Sequence, residues 1–275
     1  MNKLIASMAL PLLMATSAMS NAAEVVIDFF DSSAAGFPFL QLVDDDDTDL
    51  VGDFVTDDGP VATILGGYRD VEVVCLDGCT FDSGPAVGLP NGSESSVTIA
   101  GGLFSFNNDS GVVGEARINY DGLGGAGLGG VDLTAGGAIN ALVLDVFSSD
   151  GGISNEWYFQ IYVEDQSGGF SVVTLQALEV IAPGGSFPLF YSMFTDCALA
   201  NVECSAGDTI PVDLTDVDVI TILLNVNNGS GLLDDLDLRL RGISAKVPEP
   251  EMLSIMGLGL LVMGLAGGRR RRLKK

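Results

Sequence analysis

Between residues 23 and 246 the apolar residues of this chain come in short runs, many alternating with polar ones. The clearest are Val25–Phe30, Val61–Leu65, Asp70–Cys75, Ser96–Ile99, Gly114–Tyr120, Ile139–Phe147, Trp157–Val163, Phe170–Leu175, Val217–Val226 and Asp237–Ala245. They are rich in Val, Ile, Phe and Tyr, the side chains that suit a pleated, half-buried surface. Clusters such as Pro90-Asn91-Gly92-Ser93 and Asn227-Asn228-Gly229-Ser230 separate them and carry turn chemistry. No segment sustains a long 3.6-residue apolar period, and Ala177–Ile181 reads as strand rather than a helical turn. Roughly ten to thirteen strands in one domain predict an all-β fold: two antiparallel sheets packed as a sandwich, jelly-roll-like in order. In Trp157–Val163, alternation puts Trp157, Phe159, Ile161 and Val163 on the core face and Tyr158, Gln160 and Tyr162 on the other. Outward aromatics on a sheet are candidates for stacking on sugar rings.

The two ends follow other patterns. Met1-Asn2-Lys3 is a short basic start, Leu4 to Met14 is largely apolar, and small residues lead to Ala22 and Ala23. This three-part order predicts a secretory signal peptide over residues 1–22. At the other end Val247, Pro248, Glu249 and Pro250 precede an apolar span, 251–268, barely long enough to cross a bilayer. Arg269, Arg270, Arg271 and Arg272 open the basic tail, 269–275, and a short basic flank stays cytoplasmic. The chain is thus expected to carry a signal helix, a β-sandwich domain over 23–246, and a C-terminal transmembrane helix within the segment 247–275.

The ordered motif, span and tail resemble the PEP-CTERM sorting signal of Gram-negative bacteria. The resemblance implies that secretion machinery exports the chain and that a membrane protease-transpeptidase, exosortase, cleaves at or near the Pro-Glu-Pro. It implies only transient contact with the inner membrane, then residence at the cell surface or in an exopolysaccharide matrix. A looser resemblance lies in Gly66-Gly67-Tyr68-Arg69-Asp70, Tyr120-Asp121-Gly122 and Gly129-Gly130-Val131-Asp132-Leu133-Thr134. These stretches look like those of uncharacterised secreted bacterial β-sandwich proteins, which often look like carbohydrate-binding jelly rolls. Leu233 to Leu238, running into a last strand close to the Pro-Glu-Pro, is similar to the end of many PEP-CTERM proteins.

Charge narrows the partners. The chain has 12 basic and 37 acidic residues. Seven of the basic residues and two of the acidic ones (Glu249 and Glu251) lie in the terminal segments, so residues 23–246 keep 35 acids and 5 bases, net −30. Such a surface repels nucleic acid and anionic lipid and attracts cations. Four cysteines, Cys75, Cys79, Cys197 and Cys204, are an even count at short spacing in an exported chain and point to disulfides. Three pairings are open; the local one, Cys75–Cys79 with Cys197–Cys204, is the expected one. A zinc or redox site is a weak fit to C-x3-C and C-x6-C spacing without histidine. Arg69, one of the five bases, is expected to pair with a carboxylate inside the sandwich.

The chain contains no histidine, which removes the Ser-His-Asp triad, the HExxH zinc site and any histidine base. Gly122 to Gly130 has no nearby lysine to meet phosphate and reads as a flexible loop. Carboxylate catalysis needs only two acids, and Glu156 and Glu164 are the pair that would sit among aromatics. Two acidic places are candidates for calcium, the only cofactor the sequence points to. One is Asp44 to Asp49, which lacks the EF-hand glycine. The other joins Asp28 and Asp31 of the first strand to Asp234 and Asp235 before the last, provided those strands lie side by side. The leading expectation is a non-enzymatic structural or adhesive protein of the exopolysaccharide or biofilm matrix. The alternatives are a carbohydrate-binding-module-like protein binding extracellular polysaccharide and a carboxylate-dependent glycoside hydrolase.

Overall fold

The computed structural model describes residues 23–31, 39–45, 52–80, 93–149, 157–176, 185–226 and 234–248. The expected signal peptide (1–22), Glu249 and Pro250 of the sorting motif, the span 251–268 and the tail 269–275 lie outside these residues. Among the described residues, no helix is long and apolar enough to cross a membrane.

The alternating segments become strands. In chain order they are β1 (Glu24–Asp28), β2 (Phe39–Asp44), β3 (Asp53–Asp58), β4 (Arg69–Asp77), β5 (Ser95–Ala100), β6 (Leu103–Asn108) and β7 (Val113–Tyr120). Then come β8 (Ala141–Ser149), β9 (Tyr158–Asp165), β10 (Phe170–Gln176), β11 (Ser186–Phe190), β12 (Val202–Cys204), β13 (Val217–Leu224) and β14 (Asp237–Lys246). Among the described residues the α-helices, α1 (Tyr191–Thr195) and α2 (Ser205–Asp208), are single turns. Every pairing is antiparallel, in two sheets. The first runs β11-β8-β14-β6-β5-β2, with β1 also on β14; the second runs β12-β10-β9-β13-β7-β4-β3. The all-β sandwich expected from the sequence is what forms.

β14 is the hub of the first sheet. One side pairs with β8 along almost its whole length. The other side pairs with β6 over Asp237–Leu240 and with β1 from Ile243 to Lys246. The first and last strands therefore do lie side by side.

The inner faces make one core. Trp157, Phe159, Ile161 and Val163 are all buried, and Trp157 and Phe187 both pack against Phe159. Each such side chain contributes about 1.5–3 kcal/mol on leaving water. Val61–Leu65 is a correction: only Ile64 bridges, to Asp28, and the chain then turns through Gly66 and Gly67, whose φ values of 73° and 82° suit residues without Cβ. Both cysteine pairs are closed locally, Cys75–Cys79 at the end of β4 and Cys197–Cys204 between the α1 exit and β12. By loop closure alone each stabilises by about 2 kcal/mol.

Candidate functional site

The outward face of the second sheet is where chemistry-bearing side chains collect. Register sets them in rows. Tyr162 on β9 is opposite Val172 on β10 and Thr221 on β13; Thr221 is opposite Asn119 on β7, and Asn119 opposite Asp70 on β4. One step along, Thr174, Gln160, Leu223, Arg117, Glu72 and Phe54 form a second row across six strands, β10 to β3. At ~4.8 Å between strands, that row is ~24 Å wide.

Two adjoining hollows lie on this face, about 540 Å³ over β9, β13 and β7 and about 340 Å³ over β7, β4 and β3. They share Arg117, Asn119 and Asp121, so they form one groove. At its β9 end the rings of Tyr162 and Phe170 stack, centroids 5.5 Å apart and 27° between planes. The Tyr162 hydroxyl donates to Glu164 Oε2. Burial and then the Glu164 carboxylate push the Tyr162 hydroxyl well above its ordinary value, so it stays protonated. Polar neighbours hold one another: Thr221 Oγ1 donates to Asn119 Oδ1 at 2.7 Å, and Gln160 Nε2 to Thr174 Oγ1 at 3.0 Å. At the far end Phe54 is 62% exposed.

The groove is acidic. Arg117 faces Glu72 at 3.7 Å, with both side chains well exposed, a geometry worth little. Burial, then the charge of Asp70, raises the Asp121 carboxyl above its ordinary value. Burial, then Glu72, does the same to Glu115, against the pull of Arg117. Glu164 lies in the groove, while Glu156, its partner in the expected catalytic pair, is outside the described residues.

The calcium site expected at Asp28, Asp31, Asp234 and Asp235 is corrected. The strands meet, but their register sends the acids apart. Asp28 is opposite Ile243, six residues from Asp237, or ~20 Å along the strand, and Asp234 and Asp235 lie beyond that. Asp28 is committed elsewhere. A bulge between Val26 and Asp28 buries both Ile27 and Asp28 and aims the carboxylate inward. There Arg69 Nη1 donates to Asp28 Oδ2 at 2.7 Å and to Oδ1 at 3.0 Å, Tyr120 OH donates to Oδ2 at 3.0 Å, and Phe30 N donates to Oδ1 at 2.6 Å. Arg69 also reaches Asp58 Oδ2, at 2.8 Å from Nη2. Burial opposes the guanidinium charge, but the charge and hydrogen bonds of Asp28 outweigh it and hold Arg69 above its ordinary value. This is the interior pairing expected for Arg69, with two acids rather than one. Asp31 contributes its backbone oxygen to Arg69 Nη2 at 3.4 Å, and Asp235 Oδ1 accepts from Gly111 N at 2.6 Å. Among the described residues no three or more acidic or cysteine side chains are grouped to hold a metal ion.

Other acids tie distant backbone segments together. Asp44 Oδ2 accepts from Cys75 N at 2.8 Å; Asp46 to Asp49 of the same run lie outside the described residues. The glycine stretch Gly122–Gly130 is a loop, as read, but a tied one: Gly124 N donates to Asp57 Oδ1 at 2.6 Å and Gly129 N to Asp218 Oδ1 at 2.9 Å. Gly127 sits at φ 84° against the Asp218 carboxylate, where a Cβ has no room. Val247 and Pro248 leave β14 directly, and no residue of the basic tail is described.

No family model and no curated protein matches the chain. Among solved structures it is similar to one described as "Structure of PfGH50B", at 13% identity and a TM-score of 0.33, over 56% of this chain and 22% of that one. It is also similar to one described as "Structural basis for the promiscuous specificity of the carbohydrate-binding modules from the beta-sandwich super family", at 9% identity and a TM-score of 0.27, over 79% of this chain and 60% of that one. The chain thus spans less than two thirds of either structure, and neither likeness bears on the groove.

Proposed function

We propose that this protein is exported and binds glycan through the groove on its second sheet, as a non-enzymatic component of an exopolysaccharide matrix. The observation that carries the reading is the stacked Tyr162–Phe170 pair beside a row of paired polar side chains in an open groove. Sugar rings offer apolar C–H faces to such rings and hydroxyls to such amides and hydroxyls. The strand order supports a jelly roll: β1 and β2 (first sheet), β3 and β4 (second), β5 and β6 (first), β7 (second), β8 (first), β9 and β10 (second), β11 (first), β12 and β13 (second), β14 (first). Two disulfides are at home in an oxidising compartment, which supports export. The PEP-CTERM-like segment supports exosortase sorting to the surface or the matrix.

The test is calorimetric titration of the full-length protein, in a membrane-mimetic detergent, with a panel of soluble oligosaccharides, followed by Tyr162→Ala. Binding of at least one oligosaccharide is expected, weakened about threefold to tenfold in the variant, the worth of one ring contact. Absence of binding across the panel, or binding untouched by the variant, overturns the reading. A second reading, a carboxylate-dependent hydrolase, is favoured by one observation: burial, then the charge of Asp70, raises the Asp121 carboxyl above its ordinary value in the groove, the direction a general acid needs. New reducing ends during the same titrations, lost in Asp121→Asn, would establish it.

A further inference from the structure

Resting on the glycan-binding reading, the charge of the groove identifies the class of glycan. We infer that the groove takes an amino-sugar polymer, a glycan carrying free, protonated primary amines rather than neutral or uronic-acid sugars.

The groove walls hold Asp70, Glu72, Asp121 and Glu164 against Arg117 as the one base among the described lining residues. Glu72 is the acid that Arg117 faces. Asp70, Asp121 and Glu164 have no basic partner among the described residues. Three of the other bases of residues 23–246 lie on the opposite sheet: Arg239, Arg241 and Lys246 all belong to β14, where Arg241 pairs with Asp145 at 2.9 Å and Lys246 with Glu24 at 3.6 Å. The fifth, Arg69, is buried between Asp28 and Asp58. The fold thus moves positive charge away from the groove.

Position matters as much as sign. Glu164 is opposite Val219, and Val219 lies one residue before Ile220, which is opposite Tyr120. Glu164 and Asp121 therefore flank the same place on β13, about two strand spacings or ~10 Å apart. The Tyr162–Phe170 stack lies at the Glu164 side of this gap. A sugar seated on the rings would have an acid on each side within reach of its substituents. An ammonium there relieves the repulsion among like charges, whereas a uronate would add to it. An acetylated amine offers a hydrogen bond but no charge.

The experiment is calorimetric titration of the full-length protein in a membrane-mimetic detergent with oligomers of β-1,4-linked glucosamine. Fully N-acetylated oligomers of the same length, an oligouronate and oligolysine serve as comparisons. The amine form is expected to bind about tenfold tighter than the acetylated form, the size of two partly exposed ion pairs. That preference should shrink as salt rises, because pairs at an open surface are screened. Glu164→Gln and Asp121→Asn should each narrow the ratio of the two affinities, and Tyr162→Ala should weaken both oligomers. Equal affinity for the amine and acetylated forms, or a preference for the uronate, overturns the inference and leaves the glycan-binding reading standing. Oligolysine binding as tightly as the glucosamine oligomer, with no effect of Tyr162→Ala, overturns it in favour of a basic peptide. Binding of none of the oligosaccharides, in a panel that includes neutral ones, overturns the inference together with the reading it rests on.

Discussion

Arg69 shows how one side chain can commit several others. The residue is 1% exposed, and its guanidinium holds two carboxylates from different parts of the chain, Asp28 at the end of β1 and Asp58 at the end of β3. A buried ion network of this kind is costly to break, since each charge has already left water. Arg69→Met is therefore expected to destabilise the protein by roughly 3–5 kcal/mol, because it takes from the buried Asp28 the guanidinium that pairs with it and from Asp58 the same contact. Adding Asp28→Leu and Asp58→Leu to that variant should recover part of the loss, since an apolar replacement of the whole network has no charge to strand. Urea-unfolding midpoints of the single and triple variants decide the matter; a loss below ~1 kcal/mol in the single variant is the contrary result. The same bonds explain why calcium cannot claim Asp28: both carboxylate oxygens already accept hydrogen bonds.

The β9–β10 hairpin is held by another acid. Asp165 Oδ1 accepts from Ser167 N at 2.9 Å, Ser167 Oγ at 2.6 Å and Gly169 N at 3.0 Å, and Oδ2 accepts from Asp213 N at 2.9 Å, tying the hairpin to the approach to β13. Burial alone would raise this carboxyl, but the hydrogen bonds from Ser167, Asp213 and Gly169 outweigh it and hold it below its ordinary value. The charged form is thus favoured by folding. Its stabilisation is complete above the unfolded value, about pH 4, and is lost as pH falls through the lower folded value. Asp165→Asn should cost most at neutral pH, and the gap between it and the parent should close below about pH 4, which urea midpoints across pH will report. Elements of this kind were partly legible in advance. The inward face of β9 follows from strict alternation between Trp157 and Val163, because one residue of slip would expose all four apolar side chains. β6 is harder to see: Leu103-Phe104-Ser105-Phe106 alternates, but it is short and hemmed by Gly101-Gly102 and Asn107-Asn108, and its strand character comes from pairing with β5 and β14. Of the groove, local alternation shows only the outward side of β9, Gln160 and Tyr162; the rest escapes local reading. Tyr162, Thr221, Asn119 and Asp70 are neighbours only through the registers of four strands far apart in sequence, and the same registers separate Asp28 from Asp235.

At the scale of the molecule, charge is sorted by sheet. The second sheet carries the acidic groove, and the first carries most of the remaining bases on its central strand, where Arg241 also lies over the Phe147 ring at 5.6 Å. The proposed sorting adds a prediction. Intact-mass measurement of the protein recovered from the surface and medium of its native host should give a species beginning near Ala23 and ending near Pro248. A mass that still includes Arg269 to Lys275 would mean a retained membrane anchor instead.

The place of β14 has a mechanical side. The strand that leads into Val247 and Pro248 is bonded to β8 on one edge and to β6 and β1 on the other. Tension entering the domain from that end runs along the strand axis, so it loads these ladders in shear, many hydrogen bonds at once, rather than peeling them one by one. A protein gripping a polymer on its second sheet while tethered through β14 would carry the load across the full thickness of the sandwich, through the strand best placed to resist being drawn out.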